Sequence, residues 1–166
     1  MHVKLRHMTS EPAIRIATAD DVGHLALLRA LWTDRPGADH EFVSRMARWL
    51  DGDGERRTTW LATLGGAPVG MASMWEYRRM PRPDRPDSRW GYVSNMFVRE
   101  ELRGRGIGSA LLEAVVAAAR ERGYPRLVLS PAEPAMAFYR RAGFVVPDER
   151  AGGDRLLVLR LSLARP

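Results

Sequence analysis

The chain has 166 residues, 45% of them hydrophobic and 28% charged, which suits one globular domain that buries its own core. It contains no cysteine, so a disulfide framework, a cysteine-zinc site and a cysteine nucleophile are excluded together. The net charge is +6, carried almost wholly by arginine because Lys4 is the only lysine. A basic balance can mean a polyanionic partner, but the arginine-for-lysine bias reads as genome base composition, and the chain lacks an aromatic-basic RNA motif and a helix-turn-helix pattern, so no nucleic-acid partner is expected.

Residues 1–10 are polar and irregular and read as a flexible tail, leaving 11–166 as a single domain. No apolar run approaches the ~20 residues of a membrane span, and the N-terminus lacks the apolar core of a signal peptide. No membrane partner is expected. Together with the missing cysteines, this predicts a cytoplasmic protein.

Ala13 to Thr18 alternates as a first strand, and Asp20 or Asp21 can cap the helix that follows, with Val22, Leu25, Leu28 and Trp32 on one face. A second helix is predicted from about Asp39 to Leu50, with Phe42, Met46 and Trp49 aligned. Thr58 to Leu64 and Ala67 to Tyr77 form a hairpin about Gly65-Gly66. Arg78 to Arg89 is a loop rich in Arg, Pro and Asp, and Tyr92 to Val98 is the next strand. A long helix runs from Gly106 to about Arg122, with Gly123 at its C-terminal cap. Arg126 to Ser130 is a strand, Pro134 opens a short helix that Gly143 closes, and Phe144 to Val146 and Leu156 to Leu163 are final strands about Gly152-Gly153. The order predicts an α/β mixed sheet with one central β-α-β crossover and about four flanking helices.

The strongest local signal is the turn Arg103-Gly104-Arg105-Gly106-Ile107-Gly108 between a strand and a helix. Glycines let backbone approach a ligand closely. The free N–H groups and dipole of a helix start favour an anion, and Arg103 and Arg105 can add charge-assisted hydrogen bonds. A Walker A loop needs a lysine that this turn lacks. A dinucleotide fingerprint fails because its third position would be Ser109 or Leu111.

Arg103-x-x-Gly106-x-Gly108, following Tyr92 to Val98, resembles the acetyl-CoA motif of the GNAT superfamily. Ile14-Arg15-x-Ala17-Thr18-x-x-Asp21, Ala67 to Ala72, and Phe138-Tyr139-Arg140-Arg141-Ala142-Gly143-Phe144 resemble its first strand and helix, its post-hairpin strand and its late helix. The match runs in order over residues 12–163. The resemblance implies a GNAT acyl-CoA N-acyltransferase fold in which Tyr92 to Val98 and Arg126 to Ser130 splay apart. Backbone groups of Met96, Phe97 and Val98 would hold the pantetheine arm, and those of Arg103, Gly104, Arg105, Gly106, Ile107, Gly108 and Ser109 the pyrophosphate.

The activity this implies is N-acetyl transfer from acetyl-CoA to a primary amine, by direct attack in a ternary complex and without a metal. The rival is a non-catalytic acyl-CoA-binding regulatory domain on the same fold. Tyr139 matches the family tyrosine near the CoA sulfur and is the candidate general acid, and a backbone N–H near Met96 is the candidate oxyanion donor. Family base positions hold Ser94, Asn95 and Ser130, so Glu76 is the first candidate base and Glu133 the second. Ala132 to Ala137 looks shortened, in a region where relatives often carry an asparagine. The acceptor, a small molecule ahead of a protein, is expected among Leu31 to Glu41, Trp75 to Trp90 with its arginine loop, and the last hairpin. Trp75 and Trp90 are candidate walls of an apolar pocket. The resemblance leaves a homodimer open.

Overall fold

A computed structural model describes residues 11–52, 54–147 and 156–161. Its elements in chain order are β1 (Ala13–Ile16), α1 (Val22–Trp32), α2 (His40–Gly52), β2 (Arg57–Leu64), β3 (Ala67–Arg78), β4 (Arg89–Val98), α3 (Ile107–Glu121), β5 (Arg126–Leu129), α4 (Met136–Arg141) and β6 (Leu157–Arg160). The six strands lie side by side in chain order, β1-β2-β3-β4-β5-β6. Every neighbouring pair is antiparallel except β4 and β5, which are parallel and joined through α3.

Alternation of side chains across β2 and β3 builds two cores. Trp60, Ala62, Ala72 and Met74 point to one face, where Ile107, Leu111, Leu112 and Val115 of α3 cover them. Leu61 and Met71 point to the other face, where they meet Leu25 and Leu28 of α1 together with Phe97. The β2–β3 hairpin turns on Gly65 and Gly66, at φ 56° and 83°, the pair of positive angles that a two-residue type I′ turn requires.

Three expectations are amended. β4 begins at Arg89, three residues before Tyr92, because Trp90 and Arg89 continue the ladder opposite Tyr77 and Arg78. Asp21 occupies the position that precedes α1, but its carboxylate turns back. It accepts from the Thr18 N–H at 2.8 Å and from both Arg15 amino groups at 2.6 and 2.7 Å. It therefore ties β1 to α1 instead of capping the helix. Phe144 to Val146 is no full strand: Val145 alone makes a bridge, with Val158. Gly152-Gly153, the first ten residues, and Ser162 and Leu163 of the last strand lie outside the described residues.

Candidate active site: a cleft where the sheet divides

β4 and β5 pair at only two positions, Gly91 with Leu127 and Tyr92 with Val128. Beyond them β4 runs on to Val98 while β5 ends at Leu129, so the sheet divides. A bulge reinforces the division. Register along β3 and β4 passes from Ser73–Ser94 to Met71–Phe97, so Asn95 and Met96 have no directly opposed pair of their own on β3. Asn95 sits at φ 51°, a left-handed conformation that asparagine adopts more readily than most residues. A bulge of this kind bends its strand and leaves backbone groups outside the ladder.

The division opens a cleft of about 780 Å³. One wall is β4 from Val93 to Val98. The floor is the turn and start of α3 (Arg103, Gly104, Gly106, Ile107, Gly108 and Ser109), and the far wall runs from Leu129 to Ala132 and on to Phe138 and Tyr139. The first helical hydrogen bond of α3 runs from the Ala110 N–H to the Gly106 carbonyl. The amides of Ile107, Gly108 and Ser109 therefore precede the helical ladder, as the first amides of any helix must. Gly104 and Gly106 have φ of 75° and 82°, and a Cβ at either would meet nothing within 4 Å. Open space in front of unpaired amides at a helix start is what a diphosphate fits.

Most of the expected residues converge here. Met96, Phe97 and Val98 line the cleft with the six turn residues just named, while the Phe97 side chain is buried on the opposite face against α1. Arg105 is exposed and outside the lining. Arg103 spends its Nε–H on the Val98 carbonyl at 3.2 Å, bracing the turn against the end of β4. Tyr139 is 6% exposed, with Phe138 and Phe144 edge-on to its ring. Burial pushes its phenol up to about 12, so the hydroxyl keeps its proton at neutral pH.

The two carboxylates are placed elsewhere. Glu76 lies opposite Gly91, five residues before Met96 and so about 17 Å along the strand. It accepts a hydrogen bond from the Tyr124 hydroxyl at 2.6 Å and is also bonded by Arg78, with Arg89 at 3.5 Å. Burial raises its pKa, but the Tyr124 hydroxyl and the two guanidiniums outweigh this and hold it below the ordinary glutamate value. A carboxylate so engaged is a poor base. Glu133 is exposed on the turn before α4 and does not line the cleft. Among the described residues no carboxylate lines it, and none forms a group of metal ligands.

A second cavity, of about 310 Å³, opens on the α1–α2 face. Arg29 comes from α1, Phe42, Arg45, Met46 and Trp49 from α2, and Thr59, Met71 and Ser73 from the sheet beneath. Asn95 lines both cavities, so the bulge is where they meet. The stripe Phe42, Met46 and Trp49 is thus a cavity wall, and no residue of α2 is fully buried. The expected loop after Trp75 does not reach this cavity. Tyr77 and Trp90 instead stack on one another at 5.7 Å at the far end of β3 and β4, with Arg126 over Trp90. Sequence reasoning had not singled out Arg29, Arg45 or the Thr59–Ser73 pair. Their only signal is spacing, with Arg29 four residues after Leu25 and Arg45 three after Phe42.

The model of the Acetyltransferase (GNAT) family matches residues 24–144. The chain belongs to that family. Solved structures agree in fold. A predicted acetyltransferase from Clostridium acetobutylicum, solved with acetyl-CoA, is 20% identical and superposes with a TM-score of 0.68 over 87% of this chain and 96% of that one. A GCN5-related N-acetyltransferase from Ralstonia eutropha JMP134 is 27% identical, with a TM-score of 0.63 over 86% and 98%. A curated relative, the 5-NmdU N-acetyltransferase of Pseudomonas phage PaMx11, is 38% identical over 63 residues, which is 38% of this chain and 45% of the relative. The matched stretch is thus under half of that relative's length. Family and fold together support acyl transfer in general. No helix among the described residues is long and apolar enough to cross a membrane.

Proposed function

We propose that this GNAT protein transfers an acetyl group from acetyl-CoA to an amine within a ternary complex. The observation that carries the reading is the junction at Asn95, where a cleft floored by unpaired helix-start amides meets a second cavity open to an acceptor. The relative from the phage bears the name of an N-acetyltransferase, and one neighbour was solved with acetyl-CoA, which supports the choice of acyl group.

Acetyl-CoA supplies the acetyl group already activated as a thioester. The protein's part is to bind, orient and handle protons. The amides of Ile107, Gly108 and Ser109 grip the diphosphate with the dipole of α3 behind them. The backbone at Asn95 and Met96, freed from the ladder by the bulge, offers an N–H donor to the acetyl oxygen. Tyr139 holds a proton on Oη inside the same cleft, ready for a departing sulfur. No carboxylate lines either cavity among the described residues, so the acceptor amine reaches the site neutral or loses its proton through water. With no cysteine in the chain, an acetylated cysteine cannot intervene.

Calorimetry with acetyl-CoA, followed by thiol release in the presence of amines, tests the reading. Heat and amine-dependent thiol release are expected from the unaltered protein. Gly106→Asp, which adds bulk and negative charge before the unpaired amides, should abolish the heat while circular dichroism stays native. Binding without turnover across amines of every charge type would favour the regulatory-domain alternative.

A further inference from the structure

We propose that the acceptor is an apolar or aromatic amine that also carries an anionic group, a carboxylate or a phosphate, held by Arg29 and Arg45. This rests on the acetyltransferase reading and names the substrate class of its second cavity.

The charge of that cavity is one-sided. Arg29 and Arg45 line it, and no acidic side chain does. The elements that wall it confirm the imbalance. α1 contains no acid between Val22 and Trp32, α2 carries Glu41 and Asp51 only near its two ends, and the one acid on β2 to β4 is Glu76, committed to Tyr124 and Arg78. Some arginines outside the cavity are ion-paired within the chain, as Arg15 with Asp21, Arg82 with Asp84 and Arg99 with Glu101. Arg29 and Arg45 have no carboxylate partner among the described residues. Each lies over an aromatic ring, Arg29 at 4.7 Å from the centre of Trp32 and Arg45 at 5.4 Å from that of Phe42. Such packing fixes a guanidinium's position while leaving its N–H donors free for an anion.

Apart from Thr59, Ser73 and Asn95, the rest of the cavity is apolar. Phe42, Met46, Trp49 and Met71 form its walls, and the buried hydroxyls of Thr59 and Ser73 share one hydrogen bond at 3.0 Å. A polycation entering here would meet two like charges and no counter-charge. An aryl or alkyl body suits the walls, its anion pairs with the guanidiniums, and its amine is left to point to Asn95 and the cleft beyond.

The test is kcat/KM with acetyl-CoA for matched amines: phenethylamine, phenylalanine, an aryl phosphate bearing the same aminoethyl arm, and spermidine. The carboxylate or the phosphate compound should exceed phenethylamine by about 10-fold or more, the worth of one hydrogen bond between charged groups, and spermidine should be poorest. The two anionic arms show which anion the site takes. Arg29→Gln combined with Arg45→Gln should collapse the ratio of anionic to plain amine, while acetyl-CoA binding by calorimetry persists. Spermidine matching or exceeding the anionic amines would overturn the proposal and leave acetyl transfer standing, as would an unchanged ratio in the double variant. No turnover of any amine with acetyl-CoA bound would overturn the acetyltransferase reading itself.

Discussion

Tyr139 is buried among aromatic rings, and its proposed role as general acid shares that position with a packing role. Its ring closes the space between Phe138 and Phe144 at the foot of the β4–β5 division, and the burial that packs it also raises its phenol further above the neutral range. Tyr139→Phe retains the ring and removes only the proton donor. It should lower kcat by roughly 100-fold or more with acetyl-CoA affinity nearly unchanged, and steady-state kinetics beside calorimetry separates the two. The folded phenol titrates above its ordinary value of about 10, so any alkaline fall in rate below pH ~10 must come from another group. Tyr139 was legible in the sequence because it sits inside a contiguous motif. The surroundings of Glu76 were not. Its partner Tyr124 lies 48 residues away in sequence, and a strand-end glutamate reads the same whether it faces a cleft or a tyrosine. Asn95 was hidden for a different reason: nothing in Ser94-Asn95-Met96 announces a bulge, since asparagine also occurs in regular strands.

Among the elements, periodicity revealed α2 but not what it faces. Phe42, Met46 and Trp49 make an apolar stripe, and such a stripe reads the same whether it covers a core or lines a cavity. The glycine signals transferred better, because a positive φ is a local demand: Gly106, Gly123 and Gly143 stand at 82°, 68° and 91°. Gly70 has an ordinary backbone and a reason of another kind. A Cβ there would lie 2.9 Å from the Phe97 carbonyl oxygen and 3.1 Å from Leu111 Cδ1, so β3, β4 and α3 converge on it. Backbone cannot yield as a side-chain tip can. Gly70→Ala should therefore cost about 1–3 kcal/mol in urea unfolding. It should also weaken acetyl-CoA binding, because the displaced strand is a wall of the cleft. Full stability and affinity in this variant would show that the three elements are less tightly fitted than their distances indicate.

For the molecule as a whole, chain order proved readable because each strand lies beside its sequence neighbour, so a correct list of elements is nearly a correct topology. Stability against acid depends on a tie remote from the cleft. The Arg15 guanidinium and the Thr18 amide hold the Asp21 carboxyl well below the ordinary value against the opposing pull of burial. A depressed carboxyl stabilises the fold fully above the unfolded pKa of about 4, and that contribution drains away as pH falls toward the folded value. Asp21→Asn should lose roughly 1.5–3 kcal/mol at neutral pH and show a shallower decline in stability on acidification, measured by urea titration at a series of pH values. A parallel offset at every pH would mean that packing, not charge, makes the difference.

The division between β4 and β5 has a further consequence. Exposed strand margins invite other chains to add themselves, which is how many β proteins come to grief. Here the sheet keeps a pair of half-used margins in its middle, recessed between α3 on one side and the 129–139 segment on the other. A slender, flexible guest suits such a slot and its main-chain donors and acceptors better than a passing polypeptide with side chains on both faces. The fold thus keeps adhesive backbone in permanent readiness without offering it to its neighbours.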